Sequence, residues 1–205
     1  MKSTLQDLGP RFHGWPKRDI ERVLVSETAI KRCVRRLGEQ ISRDYEGQKI
    51  ILVSVLKGSV VFMADLLREI NIPCAVDFMA VSSYVGSETS GVVRVTMDLR
   101  ESPEGKNIIL VEDIVDTGLT LAYLKKNLLT RRVKSLRVCA LLDKPDCHRV
   151  PVSLNYMGFS IPNEFVVGYG LDYAERYRSL PHIAVLKREV YKPSSGEERS
   201  KSSGG

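Results

Sequence analysis

The stretch IILVEDIVDTGLT, residues 108–120, decides the fold of this 205-residue chain. Its first four residues are apolar and mostly β-branched, which is typical of a buried strand. Two carboxylates follow, and the stretch ends in a short loop of small and hydroxylated residues. Beyond the loop, Leu121, Leu124 and Leu128 recur at helical spacing. The pattern therefore predicts a strand, a tight loop and a helix.

The predicted loop has the chemistry of an anion site. A helix N-terminus presents free backbone N–H groups and the positive end of the helix dipole, and both suit a phosphate. Gly118 allows a ligand to approach the backbone closely, and Thr117 and Thr120 can add hydroxyl donors. Glu112 and Asp113 accept hydrogen bonds when ionised. We therefore expect a ligand that carries one phosphate and a nearby pair of sugar hydroxyls.

Strands and helices alternate along most of the chain. A helical stripe of apolar residues begins at Ile30, after a possible cap at Ser26, and a second stripe begins at Val60. The strands are expected at 50–56, 74–81, 93–99, 106–111 and 136–142, with shorter ones at 156–159, 165–168 and 183–186. This alternation predicts an α/β protein with an open, mostly parallel sheet flanked by helices.

Polar residues follow three of the predicted strands at their carboxyl ends. Lys57-Gly58-Ser59 follows the first, the acidic pair and Asp116 follow the second, and Asp143-Lys144 follows the third. Ligands of open α/β sheets bind at these ends, so the three segments are expected to form one site. The alternative is that each strand end is polar only because it leaves the sheet, with Asp116 capping the following helix.

Composition narrows the function classes. No apolar stretch is long enough to span a membrane, and the polar N-terminal segment has no signal-peptide core, so we expect a cytoplasmic protein. The net charge of +6 comes from dispersed basic clusters that fit solvated helix faces, which disfavours a nucleic-acid partner. The four cysteines form no CxxC pair, so neither a zinc site nor a disulfide framework is expected, and Cys33, Cys74 and Cys139 should be buried thiols.

The segment Glu112 to Thr120 resembles the phosphoribosyl-pyrophosphate (PRPP) motif of type I phosphoribosyltransferases. From about Val25 to Leu186 the chain resembles the bacterial 6-oxopurine (hypoxanthine) members of that family. The further marks of this resemblance are Leu56-Lys57-Gly58-Ser59, Ser83-Tyr84, Leu141-Leu142-Asp143-Lys144 and the segment FVVGYGLDY at 165–173.

The resemblance implies a role for each part of the PRPP site. Glu112 and Asp113 would accept hydrogen bonds from the ribose 2- and 3-hydroxyls. The loop would hold the 5-phosphate, with Leu119 at a position that is basic in some family members. The residues of that loop are Asp116, Thr117, Gly118, Leu119 and Thr120. Lys57 and Gly58 would bind pyrophosphate through the backbone, and the Leu56–Lys57 peptide can be cis in the family.

The resemblance also implies the purine and metal contacts. Asp116 would act as general acid/base at the purine N7, and Lys144 would contact the 6-oxygen. Phe165 would stack on the base, and Val166 would contact its edge through the backbone. Mg²⁺ would lie near Asp172, Glu112 and Asp113, and Arg178 would bind pyrophosphate. Ser83 and Tyr84 would belong to a lid at about 82–91.

The implied function is Mg²⁺-dependent purine salvage: hypoxanthine, guanine or xanthine reacts with PRPP to give the nucleoside 5-monophosphate and pyrophosphate. Residues 1–193 would form one phosphoribosyltransferase domain with a hood from the terminal segments, and 194–205 would be a disordered tail. A homodimer or homotetramer is implied by the family. Two alternatives remain: a PRPP-sensing regulator that binds nucleic acid, and a pyrimidine phosphoribosyltransferase.

Overall fold

The computed structural model of the protein describes residues 14–83 and 93–192. In chain order its helices and strands are β1 (Ile20–Val25), α1 (Glu27–Asp44), β2 (Ile50–Leu56), α2 (Val60–Glu69), β3 (Cys74–Ser83), β4 (Val93–Met97), β5 (Asn107–Val115), α3 (Leu119–Leu129), β6 (Ser135–Asp143), β7 (Tyr156–Ser160), β8 (Val166–Val167), β9 (Ile183–Leu186) and α4 (Arg188–Tyr191). The chain forms two compact units. The larger runs from Thr28 to Asn163, and the smaller combines the segments on either side of it.

The larger unit is built on a six-stranded sheet in the order β4-β3-β2-β5-β6-β7. Every neighbouring pair is parallel except β3 and β4, which pair antiparallel at one edge. The predicted open, mostly parallel α/β sheet is therefore confirmed. Among the residues that the structure describes, no helix combines the length and the apolar character needed to cross a bilayer.

Helices cover both faces of this sheet because its central strands are apolar on both sides. On one face, Leu121, Leu124 and Leu128 of α3 pack into a cluster with alternate residues of β2, β5 and β6. On the other face lies α1, whose Cys33 is close to Gly158 of β7. The predicted α1 stripe of Ile30, Val34, Leu37 and Ile41 is fully buried, as expected.

Strand β5 extends further than the sequence indicates. It pairs with β6 as far as Val115 opposite Asp143, so Glu112 and Asp113 lie inside the strand rather than beyond it. The apolar Ile114 and Val115 resume the strand after the acidic pair. The expectation that the acidic pair follows the strand is therefore wrong: β5 ends four residues later than predicted, and Asp116 is the first residue after it.

Two further details differ from expectation. In α2 the buried residues are Phe62, Met63 and Leu66, whereas Val60, expected in the apolar stripe, is 40% exposed. Cys33 and Cys139 are buried thiols as predicted, but Cys74 is only half-buried because it begins β3 at the amino end of the sheet.

The smaller unit contains a three-stranded antiparallel sheet in the order β1-β9-β8. Its core includes Ile20 and Val23 of β1 together with Tyr177, Leu180 and Leu186 from the C-terminal segment. The Tyr177 hydroxyl donates a hydrogen bond of 2.6 Å to Asp19. Both ends of the described chain thus contribute to one small core.

Leu124→Ala is expected to lower the free energy of unfolding by about 2–5 kcal/mol, because Leu124 is fully buried at the centre of the α3 cluster. Leu129→Ala in the same helix is the control, since Leu129 is 57% exposed, and it should cost less than about 1 kcal/mol. Urea denaturation followed by circular dichroism measures both. Equal losses for the two variants would contradict the packing described for α3.

Candidate active site

A cavity of about 210 Å³ lies at the carboxyl ends of the central strands. Residues of β5, the loop after it and the start of α3 line it: Glu112, Ile114, Val115, Asp116, Thr117, Gly118, Thr120 and Leu121. A larger cavity of about 730 Å³ lies at the opposite edge, around the first residues of β2, β3 and β5. Because open α/β sheets bind ligands at the carboxyl ends of their strands, the smaller cavity is the candidate site.

The acidic pair, Glu112 and Asp113, places two carboxylates side by side, and that of Glu112 is buried. Glu112 is 6% exposed, and burial raises the pKa of its carboxyl well above the usual range, with the neighbouring Asp113 adding to the effect. Asp113 is half-buried and accepts a hydrogen bond of 3.0 Å from the Ile114 N–H. This edge of the site therefore favours donors or cations that would stabilise the ionised carboxylates.

The loop between β5 and α3 has the predicted helix-terminal geometry. Gly118 is the residue before α3 and has φ of +77°, the left-handed region that favours glycine. A Cβ atom at this position would lie 2.5 Å from Val152 Cγ2. Thr117 Oγ1 accepts a hydrogen bond of 3.4 Å from the Leu119 N–H. The sequence places Gly118 here because no larger residue fits both the backbone and the neighbouring segment.

The segment after β2 meets the acidic pair through Gly58. The Leu56–Lys57 peptide is cis, as the family resemblance allows. A Cβ atom on Gly58 would lie only 1.7 Å from Asp113 Oδ2, so a larger residue here would displace the Asp113 carboxylate. Ser59 is buried, and its hydroxyl lies 2.6 Å from the Ser54 hydroxyl and from the Val55 carbonyl oxygen. These bonds fix the turn that presents Lys57 and Gly58.

Lys144 is held beside Asp116. Its backbone N–H donates to the Val115 carbonyl, and its Nζ lies 3.6 Å from Asp116 Oδ2. The Lys144 side chain is 9% exposed, whereas that of Asp116 is 53% exposed. A strand-end lysine extended into water is therefore excluded. The larger unit thus brings together the three polar segments that the sequence predicted to meet.

Apart from the lid residues, the remaining predicted site residues belong to the smaller unit. Asp172 Oδ1 forms an ion pair of 2.9 Å with Arg178, and its Oδ2 accepts a hydrogen bond of 2.8 Å from the Glu175 N–H. Arg178 also donates to the Gly170 carbonyl at 2.7 Å. The salt bridge considered as the alternative for Asp172 and Arg178 is therefore present, and it orders both side chains within one turn.

Phe165 lies within an aromatic cluster of the smaller unit. Its ring stacks on Tyr191 with centroids 4.5 Å apart, and it meets Tyr173 edge-on at 5.7 Å. Val166, the first residue of β8, is 7% exposed and pairs with Val185. One face of the Phe165 ring is thus covered by Tyr191, a contact that the sequence pattern did not indicate.

The predicted lid and tail are largely outside the described residues. Ser83 is the last residue of β3 and pairs with Val93 across the sheet edge. Tyr84, the rest of the expected lid to residue 91 and the tail at 194–205 lie outside the described ranges. Within those ranges, no group of three or more His, Cys, Asp or Glu side chains is arranged to hold a metal ion.

Sequence reasoning missed two residues beside Lys144. His148 Nε2 lies 2.8 Å from Asp143 Oδ1, and both side chains are largely buried. The Cys147 thiol forms a hydrogen bond with Asp116, and desolvation together with that carboxylate raises the pKa of the thiol. In the sequence, Cys147 and His148 stand out only as adjacent residues, a poor ligand spacing for zinc. No periodic signal marks these residues, because they lie on a 3₁₀ turn at Pro145–Cys147.

Comparison with known proteins identifies the family of this chain. The phosphoribosyl transferase domain family matches residues 24–174. The hypoxanthine-guanine phosphoribosyltransferase of Mycobacterium bovis is 51% identical over 181 residues, which cover 84% of this chain and 89% of that protein. The chain belongs to the hypoxanthine-guanine phosphoribosyltransferase family.

Other members of this family have the same fold. A crystal structure of a hypoxanthine phosphoribosyltransferase from Staphylococcus aureus matches with a TM-score of 0.82 and 45% identity, covering 85% of this chain and 95% of that one. The bifunctional TilS/HprT protein of Listeria innocua is 48% identical over 174 residues, but this match spans 84% of the chain and only 27% of that longer protein.

Glu112→Gln is expected to stabilise the protein at neutral pH. When folding raises the pKa of a carboxyl, the folded protein loses stability as the pH rises above the pKa of that carboxyl in the unfolded chain, about 4.5. The reason is that the unfolded chain releases the proton first. Below that pH both states are protonated and the loss disappears. The variant should therefore exceed the wild type in free energy of unfolding at pH 7, and the difference should shrink as pH falls toward 4.5.

Urea unfolding at a series of pH values measures this difference. Glu104→Gln is the control, because the Glu104 side chain is 60% exposed. A Glu112→Gln variant whose stability followed the wild type at every pH would contradict the unfavourable burial of this carboxyl.

Proposed function

We propose that this protein transfers the 5-phosphoribosyl group of PRPP to a 6-oxopurine base. Hypoxanthine and guanine are the proposed acceptors, with xanthine as a third, and the products are the nucleoside 5-monophosphate and pyrophosphate. The observation that carries the proposal is the buried Lys144 ammonium beside the Asp116 carboxylate, next to a helix-terminal loop and an acidic pair. Family membership supports the same reaction.

PRPP is proposed to bind along the carboxyl edge of β5. Glu112 and Asp113 accept hydrogen bonds from the ribose 2- and 3-hydroxyls, which offsets their unfavourable proximity. The 5-phosphate occupies the N-terminus of α3, held by the backbone N–H groups of 117–120 and by the hydroxyls of Thr117 and Thr120. Lys57 and Gly58 contact the pyrophosphate through the backbone, together with the guanidinium of Arg178.

The purine is proposed to bind next to the ribose C1 atom. Lys144 donates a hydrogen bond to the 6-oxygen, which selects against adenine because an amino group cannot accept from an ammonium. Phe165 stacks on one face of the base, and the Val166 backbone contacts its edge. The stacking of Phe165 on Tyr191 supports this role, since it fixes the plane of the Phe165 ring.

Asp116 is proposed to handle the proton of the transfer. As the purine N9 forms a bond to ribose C1, the bond from C1 to the pyrophosphate oxygen breaks and the N7 proton passes to the Asp116 carboxylate. The lid that includes Ser83 and Tyr84 excludes water from this step, so that PRPP is not hydrolysed. In the reverse direction Asp116 protonates N7 and improves the leaving group.

Mg²⁺ is the proposed cofactor, and the donors present are compatible with it. Mg²⁺ takes oxygen ligands and commonly uses one or two carboxylates plus substrate phosphates, so a cluster of three protein ligands is not required. Glu112 and Asp113 offer adjacent carboxylates whose mutual repulsion a cation relieves, while both oxygens of Asp172 already have partners. When bound, Mg²⁺ neutralises the charge that develops on the departing pyrophosphate.

The proposed organisation follows the family: one phosphoribosyltransferase domain with a hood from the terminal segments, assembled as a homodimer or homotetramer. A regulator on the same fold is the less favoured alternative. Lys144 and Phe165 count against it, because a pure PRPP sensor has no need of residues that contact a purine.

Asp116→Asn is expected to lower kcat for hypoxanthine with PRPP and Mg²⁺ by about 10²–10⁴-fold, because the amide keeps the shape of the carboxylate but cannot take the N7 proton. The KM for PRPP should stay within about threefold of the wild type, since the phosphate and ribose contacts remain. Steady-state kinetics measure both constants. A variant with wild-type kcat would remove Asp116 from the acid/base role.

Lys144→Ala is expected to raise the KM for hypoxanthine by about tenfold or more and to reduce the preference over adenine, because it removes the proposed donor to the 6-oxygen. Assays with hypoxanthine, guanine, xanthine and adenine measure this preference. Lys126→Ala, at an exposed position of α3, is the control. If the wild-type protein uses none of the four bases but binds RNA in a salt-dependent manner, the proposed transferase activity is wrong and the regulator alternative is favoured.

A further inference from the structure

The Asp143–His148 pair is a largely buried hydrogen-bonded contact that the proposed chemistry does not use. Asp143 is the last residue of β6, and His148 follows it by five positions. His148 Nε2 donates to Asp143 Oδ1 at 2.8 Å, and the side chains are 20% and 10% exposed, respectively. A carboxylate this far from water needs a partner, and His148 supplies it.

The pair closes the turn that carries Lys144. Between the two partners the chain passes through Lys144 and the 3₁₀ turn at Pro145–Cys147. Within that turn the Cys147 N–H donates to the Lys144 carbonyl at 3.0 Å, and the His148 N–H donates to the Pro145 carbonyl at 3.2 Å. The side-chain bond therefore joins the two residues that flank a four-residue segment, Lys144–Cys147, whose first residue is Lys144.

The chain after the pair continues onto the helix-terminal loop. The Arg149 N–H donates to the Thr117 carbonyl at 2.9 Å. A Cβ atom on Gly118 would lie 3.2 Å from Val150 Cγ2 and 2.5 Å from Val152 Cγ2, so both valines pack directly against this glycine. His148 thus stands between Lys144, which is proposed to contact the purine, and the segment that packs against the proposed phosphate loop.

We propose that Asp143 and His148 are positioning residues that hold Lys144 at the purine 6-oxygen. This inference rests on the proposed transfer reaction. The pair acts through the turn and not by touching substrate, because His148 Nε2 is engaged by Asp143 and the two residues flank the turn that begins at Lys144. Without the pair the turn gains freedom, and the Lys144 ammonium samples positions away from Asp116 and the base.

The test compares His148→Ala with His148→Gln. The alanine variant should raise the KM for hypoxanthine by about tenfold, because small displacements of a positioned group have large kinetic effects, while the KM for PRPP changes by less than about threefold. The glutamine side chain carries an N–H donor at a similar reach, so His148→Gln should restore most of the purine affinity. Asp143→Asn keeps an acceptor oxygen and should behave like His148→Gln.

The Asp98–Arg131 pair provides a matched control. It is a bidentate contact of 2.7 and 2.8 Å elsewhere in the larger unit, so Asp98→Ala removes a more exposed side-chain pair that does not adjoin Lys144. This variant should leave both KM values unchanged. Thermal unfolding of all variants reports how much of any kinetic change reflects lost folded protein.

Three results would overturn the inference. One is an unchanged KM for hypoxanthine in folded His148→Ala; another is an equal change in both KM values; the third is failure of His148→Gln and Asp143→Asn to fold, which would make the pair purely structural. An inactive wild-type protein is a distinct result, since it would remove the proposed reaction itself and the inference with it.

Discussion

The parallel pairing of β5 with β6, which ends with Val115 opposite Asp143, is the constraint on which the site depends. The two strands start in register at Asn107 and Ser135, and they leave the sheet together. Because they end side by side, the residues that follow them, Asp116 and Lys144, emerge next to each other. The Lys144 N–H then bonds to the Val115 carbonyl and continues the ladder by one step. A shift of one residue in this register would turn Lys144 toward the opposite face of the sheet.

Much of this arrangement could be predicted from the sequence because its signals are local. The apolar run at 108–111, the leucines of α3 and Gly118 each act within a few residues, and together they indicate the strand, the helix and the loop. The predicted end of β5 at residue 111 is wrong because two adjacent carboxylates are typical of residues that follow a strand, whereas β5 continues to Val115. Polar residues inside a strand are distinguished from polar residues after it only by their burial, which depends on neighbouring segments.

The contacts that escaped prediction join residues without a periodic relation. Asp143 and His148 are linked across a 3₁₀ turn, and Phe165 meets Tyr191 across 26 positions of the chain. The close approach of Gly58 to the Asp113 carboxylate is of the same kind, because Asp113 lies on another strand. Local composition suggested a turn after β2, but the steric reason for the glycine exists only once β2 and β5 have paired. The fold class is therefore set by short-range patterns, and the fine geometry of the site is set by tertiary contacts.

The antiparallel pairing of β1 with β9 has a consequence for the order in which the protein acquires structure during synthesis. Ile20 pairs with Leu186, so the sheet of the smaller unit joins segments more than 160 residues apart. A ribosome makes chain from the N-terminus onward, and β1 leaves the exit tunnel long before its partner exists. The last strand of the larger unit ends at Ser160. That unit can therefore fold before β9, the pairing partner of β1, has been synthesised. The last described strand to be translated is the one that completes the sheet of the smaller unit.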